Sequence, residues 1–206
     1  MALVKVTIHT KARALLNEII EGFWLNTEID GWIDDAALDI SAKTYCYEVS
    51  ASVTLATTTQ LYSLPADCIK ALGAIYVNKG LKRIVPWMEG LQTAVVSGPP
   101  EYFFEITEKI GFVPYPTLAE NATTVTLYYA KSTNDITKIP SKFQVPAILF
   151  VVMMGLLKER QYAKAGQILQ VYTALLDLDR GEVEVEKVEQ PQPLNHYVLK
   201  LMGPQQ

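Results

Sequence analysis

The sequence predicts an α+β protein. N- and C-terminal helical pairs form a four-helix bundle, an antiparallel β-sandwich or barrel is inserted between them, and an extended C-terminal arm follows. Three observations carry this. Apolar residues recur three and four apart toward both ends of the chain. From Glu48 the apolar period falls to two. After Leu178, valine and glutamate alternate and then give way to two prolines. The implied domains are 1–47 with 140–180 (helical), 48–139 (inserted β) and 181–206 (arm).

The anchor is 144–178, QVPAILFVVMMGLLKERQYAKAGQILQVYTALLDL. Val145, Ile148, Leu149, Val152 and Leu156 share one side, and Ala147, Phe150, Val151, Met154 and Leu157 cover the other. A helix apolar all round is expected to be buried all round. Pro146 suits a first helical turn, where its missing N–H is not needed. A polar break at 158–161 then leads to a second helix with Tyr162, Ala165, Leu169, Tyr172 and Leu176 on one stripe. The uncharged run 145–157 is interrupted by Pro146 and Gly155 and falls short of the roughly 20 residues of a membrane span. Residues 1–10 lack the apolar core of a secretory signal.

At the other end, 10–24 reads as a helix with Leu15, Leu16, Ile19, Ile20 and Phe23 on its apolar face. A second helix over about 28–47, capped by Thr27 with Asp30 three residues on, buries Ile29, Trp32 or Ile33, Ala36 and Ile40. Asp30, Asp34, Asp35 and Asp39 face the other way. Pairs at this spacing could hold a metal, but no histidine is in register, so a solvated acidic face is expected.

Strands follow. Val49, Ala51, Val53 and Leu55 alternate with Ser50, Ser52 and Thr54, and Leu61 and Tyr62 begin a short strand stopped by Pro65. Segments 69–77 and 81–85 are expected to form a hairpin about Asn78-Lys79-Gly80. Segments 101–107 and 109–115 make another, and TTVTLYYA (123–130) is β-branched and aromatic throughout. In the arm, Val183 and Val185 read as a strand, and Tyr197, Val198, Leu199, Leu201 and Met202 form an apolar cluster. Such a segment is expected to dock on another subunit by adding a strand to an open edge.

Half of the 206 residues are apolar and the net charge is −4. That charge argues against binding nucleic acid by phosphate neutralisation. Cys46 and Cys68 are read as small hydrophobes rather than a disulfide framework. With only His9 and His196 present, a histidine triad or zinc site is disfavoured. No nucleophile elbow, phosphate loop, dinucleotide fingerprint or CxxC occurs. Glu101 and Glu105 could share a sheet face, as a glycosidase pair would, but read as strand-face charges. Trp87, Tyr102, Phe103, Phe104, Tyr115, Tyr128 and Tyr129 could line a sugar platform and are expected mostly in the core. No cofactor, metal or catalytic residue is expected.

Several motifs recur in a fixed order: FWLNTEIDGWIDDAALDIS (23–41), QLYSLPAD (60–67), VNKGLKRI (77–84), GPPEYF (98–103), GFVPYP (111–116) and the Val145-Pro146 helix start. Together they resemble the head-to-tail adaptor (connector) proteins of tailed bacteriophages over about 20–178. The resemblance implies a non-enzymatic virion protein at the neck, made in the host cytoplasm. It implies a homo-oligomeric ring, usually of twelve copies, between the portal protein and a downstream tail or nozzle protein. DNA would pass through the lumen without sequence-specific binding, and no membrane is involved. The arm would clip the portal or a neighbour, and Asp30, Asp34, Asp35 and Asp39 would face the lumen or the next subunit. The alternatives are a stopper or tail-tube subunit, or a carbohydrate-binding β-sandwich.

Overall fold

Positions 145–157 carry no polar side chain, and the structure builds a helix there that other helices cover. The computed structural model describes residues 3–85 and 97–184, with side chains to 178. The elements are α1 (Lys5–Leu15), α2 (Asn26–Thr44), β1 (Glu48–Thr54), β2 (Leu61–Ser63), β3 (Cys68–Tyr76), β4 (Lys79–Gly80), β5 (Lys82–Arg83), β6 (Tyr102–Ile106), β7 (Lys109–Val113), β8 (Thr124–Lys131), α3 (Gln144–Lys158) and α4 (Tyr162–Glu184). The chain divides into two units, one of Met1–Val49, Asp67–Lys70 and Tyr129–Val185, the other of Ser50–Ala66 and Ala71–Tyr128.

In the first unit Pro146, Ala147, Ile148, Val151, Val152, Met153 and Gly155 of α3 are buried. Ile29, Ile33, Ala36 and Ile40 of α2 meet them in one core with Ile8, Ala12 and Leu16. The window Ser141–Lys158 has mean hydropathy 1.4, enough by length and composition for a membrane span. In this fold it is a core helix, although Val145 remains 55% exposed, so burial is not complete all round.

The expected four-helix bundle does not form. α1, α2 and α4 each pack on α3, and α2 also touches α1 and α4, but α1 and α4 make no packed pair. The cause lies at the end of α1. Asn17 takes the left-handed conformation, with φ 58°. Its N–H donates to Ala14 and that of Glu18 to Arg13, a Schellman ending. The first helix is therefore Lys5–Leu15 rather than 10–24, and 11 residues are too few to close a fourth wall beside α4. Leu15, Ile19, Ile20 and Phe23, expected in the core, are exposed, and only Leu16 of that set is buried.

Other boundaries shift for local reasons. α2 starts at Asn26, its N-terminus capped by the Glu28 carboxylate, which accepts the Leu25 N–H at 2.9 Å. The α4 stripe is Ala165, Tyr172 and Leu176 with Ile168 partly buried, whereas Tyr162 and Leu169 are exposed. α4 continues to Glu184, so Val183 is helical rather than part of a strand. Val185 and the cluster Tyr197, Val198, Leu199, Leu201 and Met202 lie outside the described residues.

The β region is two four-stranded sheets, ordered β1-β8-β3-β4 and β2-β7-β6-β5. The second is mixed rather than antiparallel, because β5 pairs with β6 in parallel, Lys82 opposite Tyr102. Tyr76 pairs with Lys79, so the β3–β4 turn is Val77-Asn78, with φ 45° and 63°, not Asn78-Lys79-Gly80. Both central residues in the left-handed region match a type I′ hairpin. In the second unit Phe103, Phe104, Ile110 and Phe112 are buried.

Gly111 stands opposite Phe104 across β6 and β7. A Cβ at Gly111 would sit 2.2 Å from the Phe104 ring. Gly111→Ala is therefore expected to lower stability by about 1–3 kcal/mol through overpacking. Urea denaturation measures this, and an unchanged midpoint would mean the ring can move aside freely.

Candidate functional site

The acidic face of α2 follows from its spacing. Ile29, Ile33, Ala36 and Ile40 are buried, which turns the aspartates outward. Their partners differ. Asp34 pairs with Lys5 at 2.7 Å. Asp39 pairs with Lys43 at 2.8 Å and accepts the hydroxyl of buried Tyr172 from α4. Burial, then this bond to a carboxylate, pushes the Tyr172 phenol well above its ordinary range. Among the described residues Asp30 and Asp35 have no ion pair. Asp34 and Asp39 are thus committed to contacts within the chain.

The loop between α1 and α2 is held by Arg13, a buried cation. Its guanidinium donates to the Trp24 carbonyl at 2.8 Å and to Asn26 Oδ1 at 2.7 Å. The Glu18 carboxylate accepts the Trp24 N–H at 3.2 Å, and Glu21 accepts the Asn26 N–H at 2.9 Å. Trp24, itself buried, points its indole N–H at the Gly155 carbonyl, 3.4 Å away. A Cβ at Gly155 would meet Leu16 at 2.8 Å, so glycine permits this close approach. Lys158 reaches back from α3 to Glu28 at 2.6 Å and to the Phe23 carbonyl at 3.1 Å. This fastening leaves Leu15, Ile19, Ile20 and Phe23 61%, 82%, 82% and 55% exposed. Sequence periodicity placed those residues in the core. The usable signal was Asn17, a residue that tolerates the left-handed helix ending.

In the β region the motif residues are structural. The Tyr62 hydroxyl accepts the Ala56 N–H at 3.0 Å and donates to the Thr59 carbonyl at 2.9 Å, closing the turn before β2. Asp67 accepts from Tyr129 at 3.0 Å and pairs with Lys131 at 2.7 Å. Glu101 and Glu105 are each engaged by a cation, Lys79 at 3.3 Å and Arg83 at 3.4 Å. Glu105 also accepts the Ala71 N–H. Phe103, Phe104 and Tyr129 are core residues, Tyr128 is 40% exposed, and Trp87 lies outside the described residues. Cys46 and Cys68 lie at intermediate depth and are not joined in a disulfide, and burial pushes the Cys46 thiol up. Among the described residues no three His, Cys, Asp or Glu side chains come together as a metal site.

Compared with known proteins, the chain matches the sequence model of the SU10 adaptor protein over residues 7–194. No curated protein matches it.

The carboxylate contacts set the acid behaviour. The Lys158 ammonium, then the Leu25 N–H, hold Glu28 below its ordinary 4.5. Lys131, then Tyr129, hold Asp67 below 3.8. The Thr117 hydroxyl and N–H lower Glu120, and those of Thr137 lower Asp135. A depressed carboxylate contributes stability above its unfolded pKa and loses it as pH falls through the folded value. The thermal midpoint is therefore expected to hold from neutral pH down to about 4.5 and to fall below that. Asp67→Asn should start lower at neutral pH and flatten the acid limb. An acid limb as steep as that of the unsubstituted chain would remove Asp67 from the account.

Proposed function

The chain belongs to the SU10 adaptor protein family, a family of phage head-to-tail adaptors, and from that premise we propose that it is one subunit of a ring at the neck of the virion. In this reading the ring carries twelve copies, binds the portal protein on one face and a downstream tail or nozzle protein on the other, and lets DNA pass through its lumen. The protein is made in the host cytoplasm and carries no enzymatic step. The helical parts (1–47 and 140–180) make the ring, 48–139 is the β domain, and 181–206 supplies contacts to a portal or neighbour. Val183, Val185, Tyr197, Val198, Leu199, Leu201 and Met202 are the contact residues in that segment.

The family match over 7–194 carries this reading. The exposed apolar residues at the end of α1 and in the loop after it support it, since Leu15, Ile19, Ile20 and Phe23 suit burial in an assembly. The net charge of −4 also fits a lumen, because a basic wall would hold DNA by counterion release and slow its exit.

Mass measurement of the purified chain with and without portal tests the ring. A discrete ring-sized species is expected once portal is present. A chain that stays monomeric in its presence would end the proposal, whereas a free monomer alone would not, since portal can template closure. For the lumen, the double variant Asp30→Asn/Asp35→Asn removes the two aspartates that hold no ion pair among the described residues. Normal ring assembly with slower DNA ejection is expected; unchanged ejection and assembly would take these residues out of the lumen and out of the interface.

A further inference from the structure

β1 is the long strand with an open side among the described residues. It ends the order β1-β8-β3-β4 and has seven residues, whereas the other end strands, β4, β2 and β5, have two, three and two. The direction of its free groups can be read from the bonds at its ends. Leu55 donates to the Thr123 carbonyl and accepts from the Ala122 N–H, and the Tyr47 carbonyl accepts from Lys131. Tyr47 to Leu55 and Thr123 to Lys131 cover equal lengths, so no net bulge lies between them; the bulge that sets both Ala122 and Thr123 against Leu55 belongs to the other strand and lies beyond the end of β1. Bonding direction alternates along a strand. Odd-numbered residues therefore turn their backbone toward β8, and Glu48, Ser50, Ser52 and Thr54 turn their N–H and C=O to the open side.

Native sheets blunt such edges with lysine, proline, bulges or brevity. β4, β2 and β5 are brief. β1 has none of these devices, and its even-numbered side chains are small or polar and exposed, while Val53 on the other face is buried. An edge left open over this length is built to be paired.

We propose that the β1 edge accepts a strand formed by residues 196–202 (HYVLKLM) of a second copy. This rests on the ring reading above. Beyond α4 the sequence runs from 185 to 206, and Pro191, Pro193 and Pro204 bound a proline-free stretch, 194–203. Proline cannot donate to a ladder, so pairing is confined to that stretch. Residues 196–202 match the length of β1. Tyr197, Leu199 and Leu201 alternate with Val198, Lys200 and Met202, so one face can join Ala51 and Val53 while Lys200 stays with the exposed serines. Residues 185–195 can span about 36 Å when extended, enough to leave their own chain. A strand donated this way ties each copy to the next.

Two measurements test this, both with portal present. In a Cys46→Ser/Cys68→Ser background, chains carrying Ser52→Cys are mixed with chains carrying Lys200→Cys. A short bis-maleimide, which tolerates a slip in register, is then added. A cross-linked dimer of the two different chains is expected, and it should be lost when the Ser52→Cys chain also carries Ser50→Pro. Absence of that mixed dimer, or cross-linking directed to the portal, overturns the proposal. Separately, Ser50→Pro and Ser52→Pro remove only outward-facing N–H groups, so each should keep the unsubstituted thermal midpoint and β8 pairing. Their assembled fraction should fall at least tenfold. If the unsubstituted chain assembles and these variants assemble equally well, this inference falls and the ring reading stands. If the unsubstituted chain does not assemble, both fall.

Discussion

The helical unit depends on the need to cover α3. A helix with no polar side chain from Val145 to Leu157 leaves water only if neighbours surround it, and each neighbour is shaped by that demand. α2 supplies a stripe of isoleucine and alanine at helical spacing, and the alanines let the axes approach. α4 supplies Tyr172, whose ring packs edge-on against Phe150 at 5.7 Å while its hydroxyl reaches Asp39. α1 adds Ile8 and Ala12, and the loop after it adds Trp24 against Gly155. One constraint thus explains a glycine in mid-helix, a buried arginine that holds the neighbouring loop and a paired aspartate on a nominally exposed face.

Much of this was legible where the signal is local. The buried set of α2, the change of period at Glu48 and strand β8 follow from spacing and residue type alone. The illegible parts depended on backbone sign or on distance. Asn17 reads as an ordinary helix residue until its φ is positive, and that one angle moves Ile19, Ile20 and Phe23 from core to surface. Val77 in the left-handed region gives no compositional warning, and it displaced the hairpin turn by one residue. The Tyr172–Asp39 bond joins residues 133 apart, so a pattern confined to one helix could only show Asp39 as one acid among four. The sheet order failed for a similar reason: β5 leaves its hairpin partner to lie beside β6, a non-local choice that no pair of adjacent segments reveals.

The motifs that carry the family resemblance are largely scaffold. Trp24, Asn26, Ile29, Ile33 and Ala36 hold the α1–α2 connection against α3, and Tyr62 and Asp67 close turns and strand ends. Leu15, Ile19, Ile20 and the exposed side chains of β1 lie outside those motifs, whereas Phe23, Asp30 and Asp35 lie within them without being buried. The family signature therefore reports in large part how the chain is built.

The burial of Trp24 gives this protein a built-in optical gauge. Its indole lies in the core with its N–H turned to a backbone carbonyl, and Trp32 packs partly against the same core. Loosening of α3 from its neighbours exposes Trp24 to water and moves its emission toward longer wavelength. With Trp87 replaced by phenylalanine, the state of the helical unit can thus be followed in the purified, unlabelled chain, in real time, by light alone.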